Sequence, residues 1–192
     1  MRRIALLLLL TCALRAHAET TRYLIRPIYT SVRFSIVKWG VLKEEGVFRE
    51  FAGTLDYDSQ RPELARVDVV VEAASIDTKD ETRDSVLRSD DFFDVARYKT
   101  LEFHSSGVMR INNQTFISGN LTIHGVTRAI RFPATALGTR EIKNVGSLAG
   151  FETTFRINRR DFGILGNRWG AVPGVMADEV EIHIIIGAVR RR

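Results

Sequence analysis

Cysteine is nearly absent from this chain of 192 residues. The single one, Cys12, lies close to the N-terminus. A lone cysteine can form no internal disulfide, and if that segment is removed, zinc–thiolate sites and cysteine nucleophiles are lost with it. Proline is scarce, with four in all, and no Pro/Ser-rich linker, low-complexity tract or internal repeat divides the chain. Long apolar runs are scarce as well. The run at residues 4–10 is far short of the ~20 residues that span a bilayer, and later apolar stretches are interrupted by charge. Histidine beyond the N-terminal segment is limited to His104, His124 and His183, with no i, i+2 or i, i+4 pair of the kind that holds a metal. No G-x-S-x-G nucleophile elbow occurs.

What stands at the N-terminus is Arg2 and Arg3, an apolar run, then Ala16-His17-Ala18. That order is expected of a secretory signal peptide cleaved after Ala18. It leaves residues 19–192 as one domain, exported to the periplasm or beyond. Lipidation at Cys12 is the weaker alternative, because Thr11 is a poor residue before a lipobox cysteine. Cleavage also changes the charge. The formal +5 loses Arg2, Arg3 and Arg15, and Arg190, Arg191 and Arg192 account for more than the remainder. The basic balance therefore belongs to the two ends, and nucleic acid is not an expected partner. The terminal arginines leave transient contact with an anionic membrane surface open.

The body of the chain has a period of two. Val32, Phe34 and Ile36 alternate with polar neighbours, as do Val67, Val69 and Val71. The pattern recurs in Ile117, Gly119, Leu121 and Ile123, in Phe151, Thr153, Phe155 and Ile157, and in Val180, Ile182, Ile184 and Ile186. Such alternation makes half-buried strands with one apolar face. Segments 22–26, 47–57, 100–110 and 126–137 are further strands, and Asn112-Asn113 and His124-Gly125 are turns between them. About nine strands joined by tight turns favour an antiparallel meander closed into a barrel, which removes sheet edges. A barrel of this size is either filled by side chains or left with room for a ligand. Small inward residues such as Gly53, Ala73 and Gly119 fit both cases.

Residues 77–98 break the alternation. Thr78, with Glu81 three residues on, is the expected N-cap of a helix, and Ser89 the cap of a second short turn. This segment contains Asp90-Asp91-Phe92-Phe93-Asp94. In isolation it matches a Mg²⁺–pyrophosphate motif, but that chemistry needs a second acidic motif opposite, and the sequence has none. The expectation is a capped turn whose phenylalanines anchor the insertion to the barrel.

The segments FREFAGTLDYD, LRSDDFFDVARYKTLEFHSS, ISGNLTIHGVTRAI, GFETTFRINRRDFGI and DEVEIHIIIGAV together resemble the YceI-like family of bacterial secreted or periplasmic proteins. The resemblance covers nearly all of residues 19–192. It implies an all-β chain with a short helical insertion: an extended antiparallel β-barrel, lipocalin-like, with a helix near one end. It further implies binding of a long amphipathic lipid, such as a polyisoprenoid, an isoprenoid quinone or a fatty-acid derivative, along the barrel axis. Two places depart from the family pattern. Tyr29 and Lys38 stand where relatives often carry histidine, so a headgroup would be held differently here or a different ligand bound.

Strand parity assigns the inner wall to Phe34, Ile36, Phe51, Leu55, Val69, Val71, Phe103, Leu121, Ile123, Phe132, Phe151, Phe155, Ile182 and Ile184. Arg159 and Arg160 are candidates to receive an anionic headgroup at the mouth, against the alternative of an Arg–Asp turn that closes the barrel end. Trp169, in the Gly-rich stretch 166–174, and Trp39 are candidate rim residues. The expected activity is binding, with no catalytic residue, metal or cofactor. Two other readings remain open: a packed, ligand-free interaction or stress-protection module, and a hydrolase of lipid-like substrates. Exposed strand or helix surfaces leave room for a homodimer.

Overall fold

Strands form where the alternation runs. The computed structural model describes residues 20–166 and 172–190. Its strands are β1 (Thr21–Ile25), β2 (Ser31–Lys38), β3 (Leu42–Phe48), β4 (Phe51–Tyr57), β5 (Arg66–Glu72), β6 (Ile76–Asp77), β7 (Thr100–Ile111), β8 (Gln114–Ile123), β9 (Val126–Ile142), β10 (Gly146–Asn158) and β11 (Met176–Arg190). A helix, α1 (Glu81–Arg88), lies between β6 and β7. The order β1-β4-β5-β7-β8-β9-β10-β11 closes on itself through Leu24↔Val189 and Ile25↔Ala188, and every pairing is antiparallel. No helix among the described residues is long and apolar enough to cross a membrane.

The barrel is extended beyond this ring. Strand β11 is long enough to pair with β1 near Ala188 and with β2 from Val180 to Ile185. Between those stretches Pro27–Tyr29 forms a 3-10 turn that sits over Gly187. A Cβ at position 187 would lie 2.4 Å from the Tyr29 carbonyl oxygen, so only glycine admits the turn. Thr30 Oγ1 accepts from the Gly187 N–H at 3.1 Å and pins the break. The expected single strand over 47–57 is likewise broken, into β3 and β4. The charged pair Arg49-Glu50 is exposed at the break, and backbone bonds from Arg49 to Ser75 (3.1 Å) and from Glu72 to Glu50 (2.9 Å) hold it to the parallel break between β5 and β6.

Past these breaks β6 pairs with β3 through two residues only, Val47↔Asp77 and Phe48↔Ile76. The insertion fills the side left open. Phe92 is buried among Leu121, Ile123, Phe162 and Ile164, and Phe93 meets Phe48 edge-on at 5.9 Å between ring centres. Asp90 and Asp91 point to solvent. Phe92→Leu is expected to cost about 1 kcal/mol in urea unfolding through imperfect refilling, and Asp90→Asn less than about 0.5 kcal/mol, as for an exposed polar site.

One capping expectation is corrected and the other holds. Asp80, not Thr78, caps α1, its Oδ1 accepting the Arg83 N–H at 3.0 Å. Thr78 is committed elsewhere: its N–H and hydroxyl donate to the buried Asp84 carboxylate at 2.9 and 2.6 Å. Ser89 ends α1, its hydroxyl donating to the Val86 carbonyl at 2.7 Å, and it also caps the turn that follows, its Oγ accepting from the Asp91 N–H at 3.4 Å and its backbone carbonyl from Phe92 and Asp94.

Candidate functional site

Alternation places one side chain in two on the inner face of each strand, and along the barrel axis those side chains do not meet. They enclose a cavity of about 740 Å³, within the range of about 300–1,000 Å³ usual for small-molecule sites. All fourteen residues assigned by parity, from Phe34 to Ile184, stand on its wall. Phe132 stacks on Phe155 at 4.4 Å and meets Phe103 at 5.3 Å, and Tyr57 meets Phe151 edge-on at 4.8 Å. The small inner residues do not themselves create the space. A Cβ at Gly46 would lie 2.4 Å from the Phe34 ring, and one at Gly119 2.5 Å from the Phe103 ring. Each glycine seats the aromatic ring of a neighbouring strand. Among the described residues no buried side-chain nitrogen or oxygen lacks a partner, so the wall asks nothing polar of an occupant.

One end of the cavity is polar. It is bounded by Lys38 and Trp39 of the β2–β3 hairpin, by Glu44, by Thr78, Asp80, Thr82 and Arg83 around the start of α1, and by Val175 and Met176. Arg83 Nη1 donates to Glu44 at 2.6 Å, Arg83 Nε donates to the Thr78 hydroxyl at 2.7 Å, and the Lys38 ammonium lies 3.6 Å from Glu44. Strand parity carried a usable sign of this end. Glu44 shares the inward register of Gly46 and Phe48, and a carboxylate at an inward position marks where the wall meets water. Arg83 had no such sign, because it arrives from the insertion.

The arginine pair sits differently from a headgroup receptor. Arg159 is on the cavity wall yet only 3% exposed, and its guanidinium is spent internally. It donates to the carbonyls of Ala177 (3.0 Å), Ile164 (2.8 Å) and Leu165 (2.7 Å) and to Asp178 (3.0 Å). Burial pushes its pKa down, and Asp178 pulls it back up. Arg160 is not on the wall; it bonds Asp178 at 2.6 Å and holds that carboxylate below its usual range. The pair thus ties the turn just after β10 to the start of β11. Trp39 borders the cavity mouth. Trp169 lies outside the described residues, as do the segment 1–18 and Cys12.

The histidines lie off the cavity wall. His183 meets Glu152 at 2.9 Å on the outer face, and His124 occupies a turn against Tyr98. His104 Nδ1 meets Asp68 at 2.8 Å, which raises the imidazole pKa; burial opposes the shift and Glu102 adds to it. A raised folded-state pKa favours the native state while the group is protonated. The contribution is full below the ordinary value of about 6.5 and is lost as pH rises through the folded value. His104→Asn is therefore expected to lower the melting temperature slightly at about pH 5.5 and not at about pH 9.

Comparison with known proteins agrees with this architecture. The YceI-like domain model matches residues 23–188. A UPF0312 protein of Azotobacter vinelandii is 35% identical over 161 residues, spanning 83% of this chain and 81% of that protein. The crystal structure of Burkholderia cenocepacia BcnA superposes with a TM-score of 0.77 at 22% identity, covering 85% of this chain and 99% of the other. A polyisoprenoid binding domain from Saccharophagus degradans, implicated in plant cell wall breakdown, gives 0.67 at 14% identity, covering 90% and 100%. At these identities the two structural likenesses are likenesses of fold.

Proposed function

The chain belongs to the YceI-like domain family, and on that premise we propose that it binds and carries a long amphipathic isoprenoid-type lipid, such as a polyprenyl phosphate or an isoprenoid quinone. The observation that carries this reading is the apolar cavity, about 740 Å³ behind a polar mouth. Left dry, such a space forfeits dispersion contacts along its whole wall. Filled with water, it offers too few polar partners for each molecule. A flexible hydrocarbon chain meets neither difficulty. Each buried methylene contributes about 0.8 kcal/mol, so a five-carbon isoprene unit gains on the order of 3–4 kcal/mol before ordering costs. The polyisoprenoid-binding neighbour of the same fold supports the ligand class.

The mechanism is solubilisation. The apolar tail leaves water for the barrel, the headgroup stays near Lys38, Glu44 and Arg83, and no bond is made or broken. Export by the cleaved segment 1–18 would place the carrier in the periplasm or outside the cell, between lipid donor and acceptor. The test is displacement of an apolar fluorescent probe. Uptake of one probe per chain, competed by added polyprenyl phosphate or ubiquinone, is expected; absence of probe uptake would overturn the reading.

A further inference from the structure

The tip of the β2–β3 hairpin places apolar side chains where water should have polar ones. Val41 is 82% exposed, Trp39 57% and Leu42 48%. The corner is tight, with the Val41 N–H donating to the Lys38 carbonyl at 3.2 Å. Trp39 and Gly40 have φ of 50° and 70°, the pattern of a type I′ turn that favours Asn, Asp and Gly. An aromatic residue in the left-handed region is disfavoured by roughly 1–2 kcal/mol. Trp39 is nonetheless held there, its backbone N–H donating to the Val175 carbonyl at 3.0 Å and the Lys38 ammonium lying 4.8 Å over its ring. The same tryptophan borders the cavity mouth. Exposed tip and apolar cavity are therefore continuous through one side chain. Val172 and Leu165, flanking the stretch before β11, are also exposed.

We propose that this tip seats the protein on a lipid bilayer, with Trp39, Val41 and Leu42 entering the boundary between headgroups and acyl chains. The inference rests on the carrier reading and names where loading occurs. A polyisoprenoid tail has almost no free concentration in water, since each methylene resists transfer by about 0.8 kcal/mol. Its exchange must take place at a membrane, and a mouth that touches hydrocarbon spares the tail an aqueous step. Tryptophan suits this depth because its ring is apolar and its N–H polar. A second copy of the chain does not fit as the occupant, because a stable protein interface takes about 20–30 residues a side and the tip offers three. The cations beside it are partnered: Lys38 with Glu44 at 3.6 Å, and Lys43 with Glu45 and Glu181 at 3.7 and 3.6 Å. Apolar insertion, not attraction to anionic lipid, therefore drives the contact.

Another exposed apolar site, around Ile28 and Leu24, lines a separate crevice that shares no residue with the cavity, and it serves as the control. The experiment is flotation of the protein with phosphatidylcholine vesicles, with and without phosphatidylglycerol, alongside quenching of tryptophan emission by brominated phosphatidylcholine. Val41→Asp, whose side chain is not part of the cavity wall, is expected to lower vesicle partitioning at least tenfold and leave apolar probe uptake unchanged. Ile28→Asp is expected to change neither, and Trp39→Phe to reduce the quenching. Docking is overturned if the parent takes up probe but does not float, if Ile28→Asp and not Val41→Asp abolishes flotation, or if Val41→Asp acts only by dispersing a dimer seen in sedimentation. Flotation that depends wholly on phosphatidylglycerol would also overturn it as stated. Flotation without probe uptake would support docking and strike the carrier reading instead.

Discussion

Replacing Arg159 by alanine is expected to lower the free energy of unfolding by about 3–5 kcal/mol and the melting temperature by roughly 10 °C. The guanidinium is nearly inaccessible and ties the start of β11 to the turn after β10 through three backbone carbonyls and Asp178. Truncation leaves those carbonyls without their donor at a buried site, and each such loss costs about 1–3 kcal/mol. Lysine would not restore them, since a single ammonium cannot reproduce a planar fork. Arg160→Ala, at an exposed pair with the same aspartate, is expected to cost less than about 1 kcal/mol. Urea unfolding of the three proteins checks this. An Arg159→Ala protein of unchanged stability that had lost preference for anionic ligands would return the residue to the role of headgroup receptor.

Ile184→Trp is expected to reduce lipid uptake at least tenfold while costing less than about 1 kcal/mol in stability. In a filled core the same enlargement strains its neighbours and costs about 1–3 kcal/mol. Ile184 stands on the cavity wall between Val32 and Thr153 of the adjoining strands, so the larger ring has space to enter, and it occupies volume that a ligand chain would use. The two quantities move oppositely for a carrier and for a packed barrel. Probe titration and urea unfolding on one preparation separate them. Intact uptake with a marked loss of stability would favour the packed module.

Parity of side chains along a strand follows from backbone geometry alone, and for that reason the inner wall was legible residue by residue. Phe34, Phe103 and Ile184 could be placed without knowing which strands pair. Whether the wall encloses space was not legible, because Gly119 reads alike as room for a ligand and as the seat of the Phe103 ring. The breaks in the strands were missed for a related reason. Gly187 makes way for the turn at Tyr29, a contact between residues far apart in sequence. The cap at Asp80 went to the wrong residue because Thr78 satisfies the local pattern and is drawn off by Asp84. The polar mouth escaped notice because it joins Lys38 and Glu44 of one hairpin to Arg83 of the insertion. The run Asp90-Asp91-Phe92-Phe93-Asp94 was the reverse case. Its meaning lay in burial of Phe92, which the disruption of the alternating pattern around it already suggested.

The most direct test of the carrier reading is native mass spectrometry of the gently purified protein, followed by solvent extraction. A complex one lipid heavier than the chain is expected, releasing a polyprenyl or quinone-type molecule on extraction. Repeated observation of the bare chain mass, with no uptake of added polyprenyl phosphate or ubiquinone, would contradict it.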